Sequence, residues 1–88
     1  MRKPSGKLLR LLADNVRAYR AERGWSQERL AEACGLHRTY IGSVERKGRN
    51  ATLSTLEALA SGLRLTIPDL LTDRTSILKT PGTGVPQP

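Results

Sequence analysis

Apolar positions recur along this chain at helical intervals, broken by residues that start or stop helices. Leu8, Leu12, Val16 and Tyr19 follow one another at four, four and three residues and share one face of a helix predicted over 8–23. Gly24 ends it. Ser26 then caps a second helix of about nine residues, with Trp25 before the cap and Leu30 inside, the arrangement of a hydrophobic staple. Leu30, Ala31 and Cys34 form the inner face of that helix, and Gly35 supplies the left-handed residue a tight exit needs.

The third predicted helix, 37–46, carries two patterns at once. Ile41 and Val44 point one way, towards a core, while Thr39, Gly42, Ser43 and Arg46 point nearly the opposite way, flanked by Arg38 and Tyr40. A glycine in mid-helix costs about 1 kcal/mol against alanine, so the run of small residues on the outer side needs another explanation. Small side chains let the helix backbone approach a partner closely, and Arg38 and Arg46 reach out from either end of that face. The helix is patterned to pack on one side and enter a groove on the other.

After the basic linker Arg46-Lys47-Gly48-Arg49-Asn50, Thr52 caps a fourth helix with an apolar stripe of Leu53, Leu56, Leu59, Ala60 and Leu63. A short fifth follows, with Thr66 as cap, Pro68 in the first turn, Asp69 near the positive end, and Leu70 and Leu71 apolar. From Thr72 the chain reads TDRTSILKTPGTGVPQP, with three prolines, two glycines and little periodicity. The expectation is a basic arm at 1–7, an all-α, five-helix domain at 8–71 and a disordered, flexible tail at 72–88.

Composition narrows the function. The 88 residues suit one domain, and their net charge of +7 is unevenly spread. Residues 1–24 hold seven basic and two acidic side chains, a balance of +5, and residues 37–50 hold four and one, a balance of +3. Charge concentrated at the start and around the third helix suits a polyanion. No apolar run approaches the roughly 18–20 residues that span a bilayer, and the N-terminus lacks the apolar segment of a secretory signal. Cys34 is the only cysteine and His37 the only histidine, which rules out an internal disulfide and is too few ligands for a structural zinc site. A reducing cytoplasm is the expected setting. Cys34 is read as a small core residue and His37 as the start of the third helix. With no glycine-rich phosphate loop and no evident catalytic constellation, neither an enzyme nor a bound cofactor is expected.

Two short helices joined by a glycine turn form a helix-turn-helix, whose second member lies in the major groove of DNA. Gln27, Ala31, Gly35, Ile41 and Val44 supply, in order, a surface polar site, a small crossing site, the turn and two inward positions. On these residues the chain resembles the phage-repressor and Cro-like helix-turn-helix family. Within it, GLHRTYI followed by Glu45-Arg46 and Gly48-Arg49-Asn50 is similar to the controller proteins of restriction–modification systems. The resemblance covers about 8–71 and implies site residues. Gln27 would bond a DNA phosphate, and Arg38, Thr39 and Ser43 would face base edges. Tyr40, Arg46, Arg49 and Asn50 would contact the backbone. It also implies an ion pair between Arg20 and Glu45, and an acidic patch of Glu28 and Glu32 that touches RNA polymerase.

The expected function is a sequence-specific regulator that binds double-stranded DNA at a palindromic operator as a homodimer, through Leu65, Ile67, Leu70 and Leu71. The alternative is an antitoxin-type interaction module whose tail holds a partner while the helix-turn-helix serves autoregulation. The chain departs from the family pattern in four places. Lys47 displaces the usual glycine to Gly48, Ala51 stands where proline is common, Arg64 stands where glycine is common, and Gly42 and Ser43 replace bulkier polar residues.

Overall fold

The structure, a computed structural model, describes residues 5–47 and 51–73. Their elements are α1 (Gly6–Glu22), α2 (Gln27–Cys34), α3 (Arg38–Lys47), α4 (Leu53–Leu63) and α5 (Ile67–Leu70), with no strand among the described residues. Met1 to Pro4 of the expected arm, Gly48, Arg49 and Asn50 of the basic linker and most of the expected tail lie outside the described residues.

Four of the five helices start where a short polar side chain can hold a first-turn N–H group. Ser5, Ser26, Thr52 and Thr66 accept from the backbone N–H three residues on. Helix α1 therefore begins earlier than the apolar pattern suggests, because the Ser5 hydroxyl accepts from the Leu8 N–H at 3.1 Å. Ser5, Gly6 and Lys7, assigned to the arm by sequence, belong to α1 and its cap. Leu8 is 40% exposed, so the inner stripe of α1 is Leu12, Ala13 and Val16. Helix α2 ends at Gly35, whose φ of 69° is a backbone state glycine adopts without steric penalty.

Leu12, Val16, Leu30, Ala31, Ile41, Val44, Leu59, Ala60, Leu63 and Leu70 form one buried cluster, drawn from all five helices. Trp25, before the Ser26 cap, is partly buried and packs against this cluster. Helices α2 and α4 come close at Gly62. A Cβ on Gly62 would collide with Cys34 Sγ and stand 2.9 Å from the Ala33 carbonyl oxygen and from Cys34 Cα. Glycine is what lets these helices cross so closely.

Two polar side chains close the fold from α1. Asn15, 4% exposed, donates both amide hydrogens, to the Leu70 carbonyl at 2.7 Å and the Thr72 carbonyl at 2.8 Å. Thr72, placed in the tail by sequence, also donates its hydroxyl to the Pro68 carbonyl at 2.7 Å, so the ordered fold runs past α5. Arg23 donates to the Leu63 carbonyl at 2.6 Å, covering an otherwise unpaired group at the end of α4. That helix ends on Arg64 at φ 60°, ψ 46°, the one non-glycine residue with positive φ among those described. The departure from glycine is met by a strained residue in the same turn rather than by a different turn.

Candidate nucleic-acid interface

Helix α3 is fixed from inside. Ile41 and Val44 are both 0% exposed, and Glu45, one residue further on, is 3% exposed. A buried carboxylate is expensive unless its charge is met. Arg20 of α1 meets it in bidentate fashion, Nε donating to Oε2 at 2.6 Å and Nη2 to Oε1 at 2.9 Å. The guanidinium also donates from Nη1 to the Trp25 carbonyl at 2.7 Å. The hydrogen bond to Glu45 raises the Arg20 pKa above its already high ordinary value. The ion pair implied by the family resemblance is present, and it joins α1 to α3 and to the entry of α2.

Two more side chains converge on the same end of α3. Arg17 donates to the Glu45 carbonyl at 2.9 Å while pairing with Asp14 on its own helix. Gln27 donates from Nε2 to Glu45 Oε1 at 3.0 Å. Both Glu45 oxygens act as acceptors, so the Gln27 amide presents its nitrogen to the carboxylate. Its oxygen is then left facing Gly42, where an added Cβ would stand 3.7 Å from Oε1. The residue expected to touch a phosphate is thus also a brace for α3.

The start of α3 is held by His37. Its carbonyl accepts the Tyr40 and Ile41 N–H groups at 3.0 and 3.2 Å, and its Nδ1 accepts the Thr39 N–H at 3.0 Å. The single histidine is a helix cap.

The outward face is open. Arg38, Thr39 and Arg46 are exposed, and Tyr40, Gly42 and Ser43 are half-buried. Gln27, Glu28, Arg38, Thr39, Gly42 and Arg46 line one depression, so α2 and α3 present a single surface. Glu28 and Glu32 are both exposed on α2. Arg29 lies between them, its guanidinium 4.9 Å over the Trp25 ring and 3.8 Å from Glu32.

On α5 and the residues flanking it, Leu65, Ile67 and Leu71 are half-buried and packed against the core. Leu70 is 0% exposed, so it serves the core of the single chain and has no surface left for a partner. An apolar residue in a four-residue helix carries no periodicity that would have told inside from outside. Sequence reasoning also passed over Arg10 and Arg17, which lie seven apart on α1 and line a groove together with Arg46. Their helical spacing was the available signal.

Two short helices crossing over a left-handed glycine, the second anchored by two apolar residues and small and basic outward, define a helix-turn-helix protein. The helix-turn-helix family model matches residues 16–70, more than half of the chain, and the chain belongs to that family. Control protein C.SmaI of Serratia marcescens is 64% identical over 62 residues, covering 70% of this chain and 74% of that protein. A crystal structure of the hypothetical transcription factor NHTF from Neisseria superposes with a TM-score of 0.76 at 42% identity, covering 90% of this chain and 92% of that one. The restriction–modification controller C.Esp1396I, bound to a 25 base pair operator site, superposes with a TM-score of 0.68 at 33% identity, covering 82% and 91%.

Proposed function

We propose that this chain is a transcriptional regulator of the controller type, binding double-stranded DNA as a homodimer with α3 in the major groove. The observation that carries the proposal is the division of α3. Its inner residues and Glu45 are locked to α1 and α2, while Arg38 and Thr39 are exposed beside a glycine. A helix so braced can insert without reorganising. The operator complex of a structurally similar controller and the identity to C.SmaI support the same reading.

In this reading Arg38 bonds a guanine edge through O6 and N7, a contact worth about 1–3 kcal/mol of discrimination. Thr39 and Ser43 read neighbouring base edges. Gln27, Tyr40, Arg46, Arg49 and Asn50 hold the backbone and set the register. Leu65, Ile67 and Leu71 form the dimer surface, which brings two recognition helices to half-sites about 34 Å apart. Glu28 and Glu32 form a contact for RNA polymerase. Arg29 lies 3.8 Å from Glu32 and both side chains are more than half exposed, so the two carboxylates stay open to a partner.

The test is fluorescence anisotropy on a duplex obtained by selection from random sequence, repeated over a range of salt. About eight phosphate contacts per dimer give a slope of log affinity against log salt of about −7. A slope near zero, or failure to enrich any site, would overturn the proposal.

A further inference from the structure

The described arginines divide into two groups. Arg17, Arg20, Arg23 and Arg29 are spent on the protein itself, bonded to Glu45 and Asp14, to Glu45 and Trp25, to Tyr19 and Leu63, and to Glu32. Arg10, Arg38, Arg46 and Arg64 have exposed side chains that bond to nothing within the described residues. Arg38 and Arg46 border the recognition surface. Arg10 does not, yet it lies on a groove that runs from the first half of α1 to the end of α3 and is bounded there by Arg46. The two depressions therefore meet at one side chain.

We infer that this second groove is a seat for a phosphodiester of the same duplex, lying outside the bases that α3 reads. The inference rests on the proposed DNA-binding function and extends its footprint. Gly6, Leu9 and Ala13 line the α1 side, and Arg10 and Arg46 supply the free cations. Two carboxylates also line it. Asp14 is neutralised by Arg17, and the side chain of Glu45 is 3% exposed and held by Arg20. Arg10 and Arg46 are left as uncompensated charge, and a polyanion is the partner that such a groove fits. Arg17 is held in place by Glu45 and Asp14, so its guanidinium is oriented before any ligand arrives. Continuity through Arg46 favours flanking DNA over a separate acidic protein.

The experiment compares wild type, Arg10→Gln, Arg64→Gln and Arg38→Ala on two duplexes carrying the same selected site. One ends at the half-sites and the other extends about ten base pairs beyond each. Wild type is expected to bind the longer duplex several-fold more tightly, and Arg10→Gln to lose that advantage. Removing one phosphate contact per subunit also lowers the salt slope on the longer duplex by about 2 for a dimer. Arg64→Gln, a free arginine on a different surface, is expected to leave both quantities unchanged. Thermal unfolding checks that Arg10→Gln folds as wild type does. If Arg10→Gln matches wild type in slope and in length dependence while Arg38→Ala loses site preference, the groove is no DNA seat although the regulator reading stands. A loss with Arg10→Gln that appears only when RNA polymerase is added would equally overturn the inference, by assigning the groove to protein. Wild type that selects no site at all strikes the underlying function instead.

Discussion

Removal of Arg20 is the sharpest perturbation available to this fold. Its partner Glu45 is 3% exposed, while the Arg20 side chain keeps 22% of its surface, so the pair sits at the edge of the core. Breaking a buried pair by deleting one partner costs about 3–5 kcal/mol, because the remaining charge is stranded. Partial solvent access to the guanidinium favours the lower end of that range. Loss of the bond to the Trp25 carbonyl adds about 1 kcal/mol. Marginal stability of about 0.05–0.15 kcal/mol per residue gives this 88-residue chain about 4–13 kcal/mol in total. Arg20→Ala is therefore expected to cost about 4 kcal/mol, about a third of that total or more, read as a fall of about 4 M in the urea midpoint if the slope is about 1 kcal/mol per M. The double variant Arg20→Ala with Glu45→Leu is expected to recover most of the loss, because the stranded charge is gone. Far-UV circular dichroism follows both transitions. A fall in the Arg20→Ala midpoint equivalent to less than 1 kcal/mol, or a double variant no better than the single, would refute the view that Glu45 is a charge requiring a partner.

Three further outcomes follow from single sites. Gly62→Ala gains about 1 kcal/mol of helix propensity but drives a methyl into Cys34 and the Ala33 carbonyl, and is expected to destabilise by about 1–2 kcal/mol net in urea unfolding. Adding Cys34→Ala removes the sulfur but not the backbone contact, so only part of the loss should return. Burial pushes the Cys34 thiol up to about 11 from an ordinary 9.0. The protonated form is the one the fold prefers, so its stabilising effect is complete below pH 9 and is lost as pH rises through 11. Chemical denaturation across that window should show a fall that is shallower in Cys34→Ala, and a disulfide reagent at pH 8 should label native Cys34 far more slowly than the unfolded chain. Arg64→Gly relieves a left-handed residue at φ 60° and is expected to stabilise by up to about 1 kcal/mol, some of the gain being offset by the greater freedom of glycine in the unfolded chain. A destabilised Arg64→Gly would mean that the arginine side chain contributes more than its backbone state suggests.

The parts of this molecule that were legible in the sequence are those governed by local rules. Ser26, Thr52 and Thr66 announce helix starts because a short side-chain oxygen satisfies a nearby N–H, and each does so here. Gly35 announces the turn through its left-handed backbone. Ile41 and Val44, three residues apart, could only share a face, and that face proves to be the core. What stayed hidden depends on partners distant in sequence. Asn15 looks like a surface residue until the end of α5, 55 positions on, supplies its acceptors. Gly62 looks like a weak point in α4 until α2 is laid across it. Leu70 could not be told from a dimer contact, because a single turn has no period from which to read a face. Gln27 was legible as a polar surface residue, but its second task, bracing Glu45, required the fold. The Arg20–Glu45 pair became visible through family resemblance, since nothing local joins residues 25 apart.

That the open face of α3 reads base edges is tested most directly by binding-site selection from random duplex DNA with wild type and Arg38→Ala side by side. Wild type should enrich a two-fold symmetric site, and Arg38→Ala should relax preference at one base pair in each half while keeping the rest. If both proteins enrich the same site with the same preference at every position, the side chain at the head of α3 does not touch the bases, and the recognition surface has been placed on the wrong face.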